Sequence, residues 1–243
     1  MKLIFTLIVL LASSTCFGSI QEAMQSTVRF YTYYEVDVDG KTIKRRSGGS
    51  GVVYKEDDTH LFLLTAAHIM PEKKDMVVEK DGPKIEFDRT KITAQFFTNG
   101  FSSPEIEAKL LWSHLRGSSI YNDMAELSVK KSDLGRYPLP KPIPLAEKTK
   151  GVRYKDRIMS CGCPNLSWPT AWFGHVSETP FSVNVFKFIP PPIGGRSGSA
   201  IFNMDGTKVI GIIIWKSSGS GGGTAISPYG IHRQLEAFGN VQR

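Results

Sequence analysis

Short runs of β-branched and aromatic residues recur along this chain, and they constrain its fold more than any other feature. Examples are "STVRFYTYYEVDV" (26–38), "HLFLLTAAHIM" (60–70), "KITAQFFT" (91–98) and "KVIGIIIW" (208–215). Turns rich in Gly, Pro, Asp and Asn separate the runs at short intervals. Many short strands with this spacing predict an all-β protein, built as a barrel or a sandwich.

Helical periodicity is confined to the end of the chain, in "SPYGIHRQLEAFG" (227–239). Ser-Pro is typical of a helix start, and Ile231, Leu235 and Phe238 fall on one face. The sequence therefore predicts one short C-terminal helix.

A proline-rich segment, "RYPLPKPIPLAEKTKG" (136–151), interrupts the series of strands near the middle of the chain. The total of 243 residues is enough for one large domain or two small lobes. We therefore expect two β lobes, over about residues 26–135 and 151–239, joined by a linker at about residues 136–150.

The N-terminus has the features of a secretory signal peptide over residues 1–18. Lys2 precedes a short apolar run, and Cys16 and Gly18 occupy suitable positions before the cleavage site. The run is too short to cross a membrane, which takes about 20 apolar residues. We expect a secreted or periplasmic protein with no stable membrane association after signal removal. A lipoprotein signal ending at Cys16 and an uncleaved N-terminal anchor are the alternatives.

Charge and cysteine content indicate no cofactor or nucleic-acid partner. The formal net charge is +7, but the basic runs are short and scattered, without interleaved aromatic residues. Cys161 and Cys163 are too close in sequence for a structural disulfide, and no metal-ligand spacing accompanies them. We expect two buried reduced thiols, no metal and no cofactor.

Three polar residues stand apart from the apolar pattern. His68 ends the buried run "LLTAAH", and histidine suits proton transfer near neutral pH. Asp123 opens "DMAELSV" on the inward face of a strand, where a carboxylate is costly unless a group such as an imidazole N–H binds it. Ser197 lies in "GGRSGSA" (194–200), which on its own could be an ordinary glycine-rich turn.

The chain order His, Asp, Ser is that of the chymotrypsin-type triad and differs from the α/β-hydrolase order. Together with "LTAAH" and "GRSGSA", this order resembles the trypsin-like serine proteases of the chymotrypsin superfamily. "SGGSGVVY" (47–54) and "GTAISPYGIHRQLE" (223–236) resemble the bacterial HtrA-like branch, and the similarity extends over about residues 26–238. Few residues follow the helix, so we expect no PDZ domain.

The resemblance implies one protease domain, residues 19–243, made of two six-stranded antiparallel Greek-key β-barrels and a short C-terminal helix. It also implies roles for the polar residues in the cleft between the barrels. His68 would be the general base, Asp123 its orienting acid and Ser197 the nucleophile. The backbone N–H groups of Gly195 and Ser197 would form the oxyanion hole.

The resemblance also places a primary specificity pocket. Its residues would be Ile193, Ile214, Trp215, Lys216, Thr224, Ala225 and Ile226. None of them is acidic, so a substrate Lys or Arg would remain unpaired in the pocket. We expect cleavage after small or medium apolar residues. The alternative is cleavage after glutamate, contacted by Lys216 and Thr224.

Arg196 departs from the pancreatic-type relatives, which have an aspartate before the nucleophile to receive a newly cut N-terminus. The chain also lacks an Ile-Val-Gly-Gly start. We therefore expect signal removal to suffice for activation.

Two other function classes compete with a serine endopeptidase acting on polypeptides. One is a non-catalytic secreted binding protein on a protease scaffold, and the other is an esterase of a different fold. The intact set of His68, Asp123 and Ser197 argues against the first, and the residue order argues against the second. The oligomeric state has no signature in the sequence.

Overall fold

A computed structural model describes residues 20–78, 82–115, 122–179, 183–216 and 221–239. The predicted signal peptide, residues 1–18, lies outside the described residues. The strands, in chain order, are β1 (Thr27–Val38), β2 (Lys41–Glu56), β3 (His60–Thr65), β4 (Lys73–Val77), β5 (Lys84–Thr98), β6 (Phe101–Ser102), β7 (Ile106–Glu107), β8 (Lys109–His114), β9 (Met124–Lys130), β10 (Arg157–Gly162), β11 (Thr170–Glu178), β12 (Val185–Ile189), β13 (Ala200–Phe202), β14 (Val209–Lys216) and β15 (Gly223–Ile226).

The N-terminal half is one antiparallel sheet in the order β4-β5-β1-β2-β3-β9-β8, with β6 and β7 pairing with β5. Strand β1 lies between β5 and β2, and it pairs along its whole length with β2 and along most of it with β5. Val28, Phe30 and Tyr34 of β1 share one face and are fully buried. They are two and four positions apart, and strand geometry requires such even separations of residues that face one core.

The C-terminal half is a closed six-stranded barrel in the order β10-β11-β12-β15-β14-β13. Phe186 and Phe188 of β12 pack inside it against Ile201, Ile213 and Ala225 from three other strands. Closure leaves no free edge on this barrel, so its backbone hydrogen bonds are satisfied within the sheet.

The predicted all-β architecture is confirmed, and so is the short C-terminal helix. The N-terminal half is a half-barrel sheet of nine strands instead of the expected closed six-stranded barrel. Ala108 separates β7, which pairs with β5, from β8, which pairs with β9. The Ala108 N–H donates to the Ile92 carbonyl at 3.0 Å. The change of partner from β5 to β9 at this residue thus interrupts the ladder where an ideal barrel would close.

The C-terminal helix, Pro228–Phe238, joins the two halves. Ser227 caps it by accepting a hydrogen bond from the Gly230 N–H at 3.2 Å, and Pro228 occupies its first turn. At its other end the Phe238 ring lies 5.7 Å from the ring of Trp112 on β8. No helix within the described ranges is long and apolar enough to cross a membrane.

A second helical segment, residues 20–25, precedes β1 and was not predicted from the sequence. Ala23 within it is fully buried and its carbonyl accepts hydrogen bonds from the side chains of Ser26 and Thr27. The segment therefore packs on the start of β1 as part of the domain.

Cys161 and Cys163 are free and fully buried, which confirms that they form no disulfide. Burial raises the pKa of each thiol to about 12. Only the thiolate reacts with disulfide reagents, and about one thiol in 10⁴ is ionised at pH 8 when its pKa is that high. Ellman's reagent is therefore expected to leave both thiols unmodified in the native protein and to titrate them in guanidinium chloride. Rapid modification of the native protein would contradict the burial of this pair.

Candidate active site

His68 lies just beyond the end of β3. After Thr65 the chain leaves the sheet, and Ala67–Ile69 form a single 3₁₀ turn whose flanking Ala67 and Ile69 are buried. The two buried residues anchor the turn in the core, while the His68 side chain between them remains about one-third exposed. The imidazole therefore sits at the protein surface on a rigid support.

Asp123 immediately precedes β9 and holds His68 at two points. Its Oδ2 lies 2.5 Å from His68 Nδ1, and its Oδ1 accepts the His68 backbone N–H at 2.8 Å. The Asp123 residue is only 5% exposed. Two hydrogen bonds offset the cost of removing this carboxylate from water, and they fix both the position and the rotation of the imidazole.

Ser197 lies in a tight turn between β12 and β13. Gly195 and Gly198 on either side of it have positive φ angles of 82° and 84°, which glycine adopts readily. A Cβ on Gly198 would come within 2.1 Å of both the Ser50 carbonyl oxygen and Thr65 Oγ1. The sequence Gly-x-Ser-Gly is thus required by the turn and by its contact with β2 and β3.

The turn is attached to both halves of the molecule through the backbone. The Ser197 carbonyl accepts the Ser50 N–H of β2 at 2.8 Å, and the Gly198 N–H donates to the Ile213 carbonyl of β14 at 2.7 Å. Ser197 therefore lies where the N-terminal sheet meets the C-terminal barrel.

Ser197 and the turn that carries His68 both approach Gly49 of β2. A Cβ on Gly49 would lie 2.7 Å from the Ser197 carbonyl oxygen. It would lie 2.9 Å from the side chain of Ile69, the residue after His68. No hydrogen bond joins the Ser197 hydroxyl to the imidazole, although both residues are described. Hydrogen bonds of this kind are often long in ligand-free enzymes and shorten when substrate binds.

Gly195 presents its backbone N–H away from the neighbouring 3₁₀ turn, Pro164–Leu166. The Gly194 carbonyl accepts the Asn165 N–H at 2.7 Å. Because a trans peptide directs its N–H opposite to its C=O, the N–H of Gly195 points away from Asn165. Among the described residues, neither the Gly195 N–H nor the Ser197 N–H has an acceptor, so both can donate to a ligand.

Arg196 points into the protein instead of toward solvent. It is 4% exposed, and its Nη2 donates to the Thr170 carbonyl and to Thr170 Oγ1 at 3.1 and 2.6 Å. Burial lowers the pKa of the guanidinium. This contact fixes the residue before Ser197 to the start of β11.

The residues expected to line the specificity pocket fall into two groups. Ile193 and Trp215 are 53% and 55% exposed. The buried group consists of Ile214, Thr224, Ala225 and Ile226. Lys216 pairs through its backbone with Gly223. A Cβ on Gly223 would lie 2.7 Å from Pro192 Cδ, so proline and glycine close the space beside β15.

The sequence did not predict three residues that shape the turn, namely Ser50, Thr65 and Asn165. Ser50 lies in "SGGSGVVY", which contributed only to the family resemblance, and Asn165 lies in "PNL", to which no role was assigned. The combination of Ser with flanking glycines was the available signal. Their contacts with residues 194–198 become visible only in the folded chain.

The trypsin-like peptidase domain family matches residues 49–212 of the chain, about two-thirds of its length. The chain belongs to this family. It is accordingly a serine-type peptidase, a hydrolase whose substrates are polypeptides. No curated protein sequence matches the chain significantly.

Solved structures of bacterial proteases share the fold of this family member. A serine endoprotease from Yersinia pestis is 22% identical, with a TM-score of 0.63, and the match covers 94% of this chain and 68% of that one. The inactive mutant form of Rv3671c from M. tuberculosis H37Rv is 17% identical, with a TM-score of 0.58 and coverage of 93% and 92%. The active form of the Rv3671c protease is 16% identical, with a TM-score of 0.59 and coverage of 93% and 85%.

Proposed function

We propose that the protein is a secreted serine endopeptidase with Ser197 as nucleophile, His68 as general base and Asp123 as the residue that orients the imidazole. The observation that carries this proposal is the double contact of Asp123 with His68, at Nδ1 and at the backbone N–H. An imidazole whose Nδ1–H is bound by a carboxylate presents Nε2 as a free proton acceptor. Nε2 is the atom that must take the proton of a serine hydroxyl.

In the proposed reaction, Ser197 Oγ attacks the carbonyl carbon of the scissile peptide bond while its proton moves to His68 Nε2. The C–N bond then breaks, the leaving amine takes that proton, and an ester with Ser197 remains. Water, deprotonated by His68, hydrolyses the ester and restores the serine. Asp123 stays ionised throughout and stabilises the imidazolium.

The N–H groups of Gly195 and Ser197 are proposed to hold the negative oxygen that forms on the substrate carbonyl. Their lack of an acceptor among the described residues supports this role. Donors that are already oriented do not have to reorganise when the charge develops, and losing one costs roughly 3 kcal/mol in the transition state.

Secretion and activation are proposed together. The apolar segment at residues 3–12 supports export to the periplasm or the medium. Arg196 is bound by Thr170 and is buried. The hydrogen bonds between Arg196 and Thr170 anchor the Ser197 turn from inside the protein. We therefore propose that the turn needs no newly cut N-terminus to hold it, and that signal removal is enough for activity.

For specificity, we propose a small apolar pocket beside Ile193 and Trp215. Pro192 and Gly223 approach each other there, and Ala225 and Ile226 contribute no charge. Cleavage is expected after Val, Ala, Leu or a similar residue, because a substrate cation would be desolvated without a partner. The measurement is digestion of a peptide library by the secreted protein. The library varies the residue before the scissile bond over all amino acids.

The same digestion tests the proposed function when Ser197→Ala is included as a control for contaminating proteases. Cleavage by the wild-type protein alone would support the endopeptidase. Dominant cleavage after Lys or Arg would contradict the pocket, and dominant cleavage after Glu would favour the alternative specificity. No cleavage of any peptide would contradict the endopeptidase and favour the binding-protein alternative.

A further inference from the structure

Ser50 of β2 contacts the Ser197 turn through both its side chain and its backbone. It is fully buried, and its Oγ donates to the Gly195 carbonyl at 2.7 Å while accepting the Cys163 N–H at 2.8 Å. Its backbone N–H donates to the Ser197 carbonyl at 2.8 Å. One residue thus binds the carbonyl groups of both residues whose N–H groups are proposed to form the oxyanion hole.

The Ser50 hydroxyl makes one of the two hydrogen bonds that hold the peptide groups on either side of Gly195. The peptide before Gly195 is fixed because the Gly194 carbonyl accepts the Asn165 N–H. The peptide after it is fixed because the Gly195 carbonyl accepts the Ser50 hydroxyl. A glycine at a φ of 82° has little intrinsic preference for one backbone conformation, so its orientation depends on these two hydrogen bonds.

Ser50 is itself held in one orientation. Its carbonyl accepts a hydrogen bond from Thr65 Oγ1 at 2.6 Å, and Thr65 is the last residue of β3, three positions before His68. The Ser50 hydroxyl also connects the Gly195 turn to Cys163, which caps the Pro164–Leu166 turn. The same hydroxyl therefore links the turn around Gly195 to the neighbouring turn that starts at Cys163.

We infer that Ser50 is a positioning residue for catalysis: its hydroxyl fixes the peptide that follows Gly195 and so holds in place the turn that carries the Gly195 and Ser197 N–H groups. This inference rests on the proposed function. Removing the hydroxyl leaves the Gly195 carbonyl without its side-chain donor and frees the Gly195–Arg196 peptide, so that the turn between the two N–H donors can shift. Substrate binding in the pocket does not use this hydroxyl, so the loss falls on the transition state.

The test compares Ser50→Ala with a matched control, Ser160→Ala. Ser160 is also fully buried, and its Oγ donates to the Ala200 carbonyl at 2.8 Å, away from Gly195. Ser50→Ala is expected to lower kcat about 10- to 100-fold with KM within about threefold of wild type. The inhibition constant of a peptide boronate, whose adduct with serine is tetrahedral, should rise by a similar factor. Ser160→Ala should change kcat and the boronate constant by less than about threefold.

Ser50→Cys provides a second variant should the alanine variant not fold at the assay temperature. A thiol is close in size to the hydroxyl but is a much weaker donor, so kcat should again fall with little change in KM. The positioning role would be overturned by an unchanged kcat in either folded Ser50 variant. It would also be overturned if Ser160→Ala lowered kcat by the same factor. Either result would leave the proposed peptidase activity standing. A wild-type protein without peptidase activity would overturn the proposed function and this inference with it.

Discussion

Ser197→Ala is expected to lower kcat/KM for a peptide substrate by at least about 10⁴-fold, because no other group can form the acyl intermediate. The fold should be unaffected. The Ser197 hydroxyl makes no hydrogen bond within the described residues, so its loss leaves no buried group unpaired. The measurement is the steady-state rate on the best library peptide, together with the melting temperature of both proteins.

Ser199→Ala is the matched control for this substitution. Ser199 lies two positions further along the same turn and is fully buried, and its Oγ has no partner among the described residues. Its removal should change kcat/KM by less than about threefold. Residual activity of Ser197→Ala within tenfold of wild type would exclude Ser197 as the nucleophile.

Asp123→Asn is expected to lower kcat by about 10⁴-fold, with KM changed far less. The two contacts of Asp123 explain why. The carbonyl oxygen of the new amide would take the place of Oδ1, which accepts the His68 backbone N–H. The amide nitrogen, a donor, would then face His68 Nδ1 and force the imidazole proton onto Nε2. Nε2 could no longer accept the proton of Ser197.

Asp57→Asn is the control for this second substitution. Asp57 also accepts backbone N–H groups, those of Thr59 and His60, but it lies on an exposed turn between β2 and β3. Activity should remain within about twofold of wild type, since its contacts lie outside the catalytic site. Equal losses in Asp57→Asn and Asp123→Asn, or an Asp123→Asn variant with normal kcat, would contradict the proposed orienting role.

Local periodicity was sufficient to predict much of this fold. Alternation and β-branched composition predicted the strands, and the spacing of Ile231, Leu235 and Phe238 predicted the C-terminal helix, which is confirmed. The helical segment at residues 20–25 was missed because "IQEAMQ" is too short to display a helical period, although Gln, Glu, Ala and Met favour helices. The change of strand partner at Ala108 was also not predictable, because closure of a barrel depends on pairing between strands that are distant in sequence.

The candidate site was predictable only for residues whose type and position in the sequence suggest a catalytic role. His68 and Asp123 stand out because they lie at the ends of buried apolar runs, whereas Ser197 was predicted from the chain order His, Asp, Ser and from the family resemblance. Ser50 and Asn165 did not stand out, because serine and asparagine are ordinary turn residues. Their importance comes from contacts that span 145 and 29 residues of sequence, from Ser50 to Gly195 and from Asn165 to Gly194. Apart from the glycines on either side of Ser50, these contacts leave no local signal in a single sequence.

The most direct test of the proposed mechanism is labelling of the protein with a fluorophosphonate, followed by mass-spectrometric mapping of the modified residue. Only a serine that is activated by a neighbouring base reacts readily with such a reagent. We predict one label per chain, on Ser197, with labelling lost in Ser197→Ala, greatly slowed in Asp123→Asn and retained in Ser199→Ala. A wild-type protein that takes up no label, or that carries the label on another serine, would contradict the assignment of Ser197 as an activated nucleophile.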